Sequence, residues 1–347
     1  MASSYFPIPE LLIHPPLKRA AYSDRTAWIL ASLSHLVYSS LPGEQEIDSL
    51  VDKIIQSAKQ ENKSQLDLLI REGIVANSHK GGNVVEELSR VESFSFIRAF
   101  NNGGTQAFLA SLKMQAESDE MLILIFRGTQ TSAYEDALTD MKAWLVPVEP
   151  GLDKGRVHKG FLDALNMVQH GIQNTLTKHD HLPLYIAGHS LGGALAVLAA
   201  RFITHSNVAA TYTYGCPRAA DDKFYEYIRT PIYRIVNAAD GVARLPFGQV
   251  LSVLLWLIRI IPVNGTFQIS EFIRKRFAGY THSGHLTYLS NDATTNHLVV
   301  HSPDIFWRAW VVTRRILGSR GRAMIDDHDI IAYRDKLLQY ARWRNPG

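Results

Sequence analysis

The chain has 347 residues, 46% hydrophobic and 20% charged, with a formal net charge of +3. These proportions belong to a folded globular protein and exclude a disordered one, and the charge is too small to argue for a nucleic-acid partner. One cysteine, Cys216, excludes an intramolecular disulfide framework and favours a reducing compartment.

The first residues, MASSYFPIPELLIHPPLKR, have no basic start and no long apolar core, and they carry four prolines, so no secretory signal is visible. An intracellular, cytoplasmic location is expected. Residues 24–40 and 45–59 have helical periodicity, which predicts a helical N-terminal portion over residues 1–90. SFSFIRAF and TQAFLASLKM then flank NNGG, a hairpin signal centred on Asn-Gly. MLILIF is short and continuously apolar, as a fully buried strand is.

Strands and helices alternate from there. LPLYIAG (182–188) reads as a strand, GGALAVLAARFIT as a helix and VAATYTYG as a strand. DKFYEYIR reads as a helix and PIYRIVNA as a strand. This order predicts an α/β fold: a parallel sheet covered on both faces. After residue 290 the pattern becomes helical, in DIFWRAWVVTRRIL and DIIAYRDKLLQYARW. No linker interrupts the chain, so residues 1–347 read as one domain.

Gly188-His189-Ser190-Leu191-Gly192 has the G-x-S-x-G form and lies between a strand and a helix, where such a serine is held in strained geometry at the carboxyl edge of a sheet. A neutral serine is a poor nucleophile and needs a base oriented by an acid. Asp240 ends RIVNAAD at the close of a buried strand and is the acid of choice. Asp221 and Asp222, at a helix start, read better as caps. The base lies among His282, His285, His297, His301 and His328, and the residues alone leave that choice open. An oxyanion hole needs two N–H donors. Leu191, after the nucleophile, supplies one, and the loop after MLILIF, at Gly128-Thr129, supplies the other.

Together FRGT (126–129), VHKGF (157–161), GHSLGGALA (188–196), TYGCPRAAD (213–221), YRIVNAADGVARLP (233–246), GYTHSGHLTYL (279–289) and DHDIIAY (327–333) resemble the fungal-type class 3 lipases, in that family's order. The resemblance implies an α/β-hydrolase fold, with a mostly parallel central sheet and helices on both faces. It implies Ser190 as nucleophile, Asp240 as acid and His328 as base, with Thr129 and Leu191 as oxyanion donors. It implies neither metal nor cofactor, and a lipid or ester substrate. It also implies a lid between FRGT and VHKGF, where Ser132 and Glu135 form a capping box. There Tyr134, Leu138, Met141 and Leu145 share one face of a helix predicted over 130–146. An ordinary surface helix has the same pattern.

Two features depart from compact members. The acid and base are 88 residues apart, and the excess includes GQVLSVLLWLIRIIPV (248–263). Its 14-residue apolar run, Val250–Val263, is interrupted by Ser252 and Arg259 and is shorter than the roughly 20 residues a spanning helix needs. With the basic SEFIRKRF it forms an insertion over 248–277. Leu254, Trp256 and Leu257 there suit a cap that binds acyl chains beside the site, and a core helix is the plainer reading. Second, residues 250–347 hold 13 Lys and Arg against 7 Asp and Glu, near several tryptophans. Solvated helix faces and peripheral contact with anionic lipid, at membranes or lipid droplets, are the two readings.

The expected activity is carboxylester hydrolysis of glycerolipids through an acyl-enzyme. A phospholipase A1 or lysophospholipase on the same scaffold and a non-catalytic interaction module are the alternatives.

Overall fold

In this computed structural model the described residues are 5–12, 21–39, 41, 59, 83–114, 120–128, 144–245, 279–291 and 297–345. Among them, one sheet of eight strands runs in the order β1 (Phe94–Asn102), β2 (Thr105–Lys113), β3 (Glu120–Phe126), β6 (Leu184–His189), β7 (Val208–Tyr214), β8 (Ile232–Asn237), β9 (His285–Leu289), β10 (Val299–His301). The block from β3 to β9 is parallel, and β1, β2 and β10 add antiparallel edges. A separate two-stranded ladder pairs β4 (Leu145–Pro147) with β5 (Arg156–His158).

The helices are α1 (Asp24–Leu36), α2 (Val84–Ser89), α3 (Lys159–Leu176), α4 (Leu191–Phe202), α5 (Asp222–Tyr225), α6 (Ile305–Gly318), α7 (Ala323–Asp326) and α8 (Ile330–Arg344). Alternation along β3 explains the layering. Ile123 and Ile125 face a core shared with α1 and α8, while Leu122, Leu124 and Phe126 face one shared with α3 and α4. An apolar run therefore reads as continuous because both faces of the strand are covered. This is the α/β-hydrolase architecture, a mostly parallel sheet with helices on each side.

The N-terminal helix belongs to that core. Trp28, Ile29, Leu30 and Leu33 of α1 are fully buried, and the Ala27 carbonyl accepts a 2.6 Å hydrogen bond from the Tyr214 hydroxyl at the end of β7. The helix starts at Ser23, whose hydroxyl accepts from the Thr26 N–H.

Several expectations need correction. The hairpin loop is Gly103-Gly104, both at positive φ, with Asn102 paired to Thr105; a primed turn needs positive φ at both central positions, and the two glycines supply it. The stretch after residue 290 also contains β10, and DKFYEYIR forms only the short α5. Leu145 does not continue a helix over 130–146. It is the first residue of β4, opposite His158, in an extended segment that closes at Pro147, which has no N–H to give a helix. Residues 130–143 with Tyr134, Leu138 and Met141, the insertion 248–277 with Leu254, Trp256 and Leu257, and Thr129 all lie outside the described residues, as does most of 45–59. No helix among the described residues is long and apolar enough to cross a membrane.

Candidate active site

Ser190 stands between β6 and α4 with φ 58° and ψ −128°, a conformation that L-residues avoid. Holding it costs about 1–3 kcal/mol and requires the surroundings to over-determine it. They do. Its N–H donates to the Tyr214 carbonyl at 2.9 Å, and its own carbonyl accepts from the Gly193 N–H at 2.9 Å. The flanking glycines are steric requirements: a Cβ on Gly188 would strike the Gly192 backbone, and one on Gly192 would strike the Phe126 carbonyl. The Ser190 hydroxyl is sealed from solvent and has no hydrogen-bond partner among the described residues.

Asp240 is fully buried just beyond β8. One carboxylate oxygen accepts from the N–H groups of Val242 and Ala243, at 2.8 and 3.4 Å. The other receives His328 Nδ1 at 3.0 Å and the Tyr333 hydroxyl. A carboxylate next to Nδ1 keeps the proton there and leaves the lone pair on Nε2. Gly215, at φ 57° after β7, forms the floor beneath this pair. A Cβ there would come within 2.6 Å of Asp240 Oδ2 and 2.9 Å of His328 Nδ1.

His328 follows α7 and is buried, and its loop is clamped twice. Its carbonyl lies 2.7 Å from His189 Nε2, and the two imidazole rings are 4.5 Å apart. A carbonyl can only accept, so His189 carries its proton on Nε2, and its Nδ1 accepts from the Tyr38 hydroxyl at 3.0 Å. Burial holds His189 neutral, its pKa well below the ordinary value. The same tyrosine oxygen lies against Gly128, where a Cβ would strike it, so Tyr38 links the strand-end loop at Gly128 to the residue before Ser190. The second clamp is Asp327. Arg315 of α6 donates to both its oxygens, at 3.0 and 2.7 Å, and the Ala239 N–H adds a third bond at 2.9 Å.

The rival residues are employed elsewhere. His282 Nε2 meets the Ala243 carbonyl at 2.7 Å, His301 Nδ1 meets the Thr287 hydroxyl at 3.2 Å, and His285 stacks on Tyr233. His297 is exposed. Asp221 caps α5 and pairs with Arg156 at 2.9 Å, while Asp222 is exposed. The structure thus brings Asp240 and His328 together. His189, the residue before Ser190, packs on His328, and Leu191 is the first residue of α4, whose free backbone N–H groups lie at the Ser190 end of the helix. Reading the sequence missed Tyr38, His189, Gly215, Tyr333 and the Arg315–Asp327 pair. Only Gly215 carried a local signal, a glycine directly after a strand; the others are joined by contacts between residues distant in sequence.

Residues 123–250 match the family described as lipase (class 3), and that segment holds the strained serine and the buried aspartate. That segment is similar to the class 3 lipases. A lipase from Rhizomucor miehei is 35% identical to this chain over 147 residues, 38% of this chain and 39% of the relative. The secreted mono- and diacylglycerol lipase 1 of Fusarium solani is 35% identical over 98 residues, 26% and 29% of the two chains. The first match thus spans about two fifths of its relative's length. Among solved structures, the Rhizomucor miehei lipase propeptide complex aligns at 24% identity and a TM-score of 0.44, over 75% of this chain and 72% of that one.

Proposed function

We propose that the protein is a serine carboxylester hydrolase that cleaves acyl esters of glycerolipids through an acyl-enzyme intermediate. The observation that carries this reading is Ser190, forced into positive φ at the β6–α4 turn, together with a buried Asp240–His328 pair. The reaction also agrees with the names of the relatives, lipases of which one acts on mono- and diacylglycerol.

In this mechanism Ser190 Oγ attacks the ester carbonyl while His328 Nε2 takes its proton. Asp240 holds the imidazole by Nδ1–H and stabilises the imidazolium that forms. The tetrahedral oxyanion is met by the Leu191 N–H, at the start of α4, and by Thr129 after β3. His328 then returns the proton to the departing alcohol. Water enters, is deprotonated by the same nitrogen and releases the acid, regenerating Ser190.

A rate series tests the reading: p-nitrophenyl esters of increasing chain length, then mono-, di- and triacylglycerol, then phosphatidylcholine. We expect hydrolysis of the p-nitrophenyl esters and of at least one acylglycerol. Absence of turnover on every ester by a folded preparation contradicts the proposal. Turnover confined to phosphatidylcholine moves it to a phospholipase.

A further inference from the structure

Helix α6 presents an unusual outward face. It spans fourteen residues and begins at Asp304, whose carboxylate caps the N–H groups of Phe306 and Trp307 at 2.9 Å each. Only Val312 is buried. At 100° per residue, Phe306, Trp310, Thr313 and Leu317 share one side. Phe306 is 82% exposed, Trp310 68% and Leu317 74%, and Ile325 on the following helix α7 is 66% exposed. A single exposed apolar side chain needs no explanation, whereas a contiguous aromatic-rich stripe marks an interaction surface.

Charge decides the occupant. Residues 305–325 contain five arginines and no acidic residue. Arg314, Arg320 and Arg322 are exposed beside the stripe. A protein partner is commonly met by a rim of mixed sign; a band of cations around aromatic side chains instead fits a bilayer. Guanidinium groups pair with phosphate and carboxylate at the headgroup level, and tryptophan favours that same depth. We propose that the outward face of α6, with α7, docks the protein on an anionic lipid surface.

The docking face is mechanically joined to the site. Arg315 is nine residues from Phe306, on the opposite side of the helix, and grips Asp327, the residue before His328. A helix seated on lipid therefore fixes how the Ser190–His328 site is presented to that lipid. The inference rests on the proposed action on acyl lipids, and binding is measured separately from turnover.

The test uses the full chain carrying Ser190→Ala, so that the vesicles stay intact. It is sedimented with vesicles of phosphatidylcholine alone and of phosphatidylcholine mixed with phosphatidylserine. We expect binding to the mixed vesicles, weakened by high salt, and much less to the neutral ones. Phe306→Ser with Trp310→Ser, and separately Arg314→Glu with Arg320→Glu and Arg322→Glu, should each reduce binding by roughly tenfold or more. With Ser190 restored, both variants should hydrolyse a soluble short-chain ester at the parental rate. As a check that does not depend on multiple substitutions, Trp310→Phe should remove much of the quenching of tryptophan emission by brominated lipid. Undiminished binding by both multiple variants, equal binding to neutral and anionic vesicles, or a dimer that the variants dissociate while lipid binding persists overturns the proposal. An inactive parent that still binds refutes the enzymatic reading alone.

Discussion

A carboxylate without solvent is tolerated only when hydrogen bonds replace its hydration, and Asp240 has four donors, two on each oxygen. Two of them are backbone N–H groups that follow from the turn after β8. The other two come from the far end of the chain, so orientation of the carboxylate depends on α8 docking correctly. Tyr333 is central here: it donates to Asp240 and accepts from the Asn237 N–H at 3.0 Å. Burial raises its pKa well above the ordinary value, which keeps it a donor across the working range. Tyr333→Phe should lower kcat about tenfold with little change in KM, and cost about 1–3 kcal/mol of stability through the orphaned N–H. Steady-state kinetics with a soluble ester and a denaturant titration check both numbers. An unchanged kcat would show that Asp240 is held adequately by the remaining donors.

The same dependence recurs among elements. The close approach of β3, β6 and α4 places Gly188 and Gly192 backbone against backbone, which explains the G-x-S-x-G spacing without appeal to the reaction. Gly215 follows β7 and clears the space in which the α7–α8 loop delivers His328 to Asp240. Gly215→Ala should reduce kcat by at least about a hundredfold, because the methyl group would lie within 2.6 Å of Asp240 Oδ2 and 2.9 Å of His328 Nδ1. A folded variant with parental kcat would contradict that account of the floor. Much at this scale was legible beforehand. β3, β6, β7 and β8 and the helix α4 read directly, since local periodicity and length distinguish buried strands from an Ala-rich helix. β10 was not, because three residues at a sheet edge leave almost no pattern. Leu145 was misassigned to a helix, because spacing from Tyr134 says nothing about the ladder to His158 that it joins instead.

Across the whole molecule, the ends of the chain meet around the site. Helix α1 packs on α8 and on the sheet, and Tyr38 just beyond α1 reaches His189. Ser190 and Asp240 stand out in the sequence because each lies in a local motif at a strand end, and both lie just beyond β-strands in the structure. Tyr38, His189 and Tyr333 do not, because their roles exist only after residues far apart in sequence are brought together. Burial also sets the acid sensitivity of the fold. His158, wholly enclosed at the start of α3, is pushed down to about 4, and His189 lies well below its ordinary value. Between about pH 6.5 and 4 the unfolded chain binds protons that folded His158 refuses, so stability falls as pH drops through that window. His158 alone contributes a loss of about 3 kcal/mol. His158→Asn keeps a capping acceptor but cannot titrate, so its Tm should fall less steeply between pH 7 and pH 4 than that of the parent. Equal slopes would contradict the assignment.

The proposed reaction turns on one atom, the Ser190 hydroxyl, and its reactivity is directly measurable. The protein is incubated with an excess of an alkyl phosphonate ester, digested and examined by mass spectrometry, alongside Ser190→Ala and His328→Ala. We expect one adduct, on Ser190, with stoichiometric loss of ester hydrolysis. Neither variant should carry an adduct, and hydrolysis by Ser190→Ala should be lower by about three orders of magnitude or more. An adduct on another residue that abolishes activity, or parental turnover by Ser190→Ala, would contradict the proposed reaction.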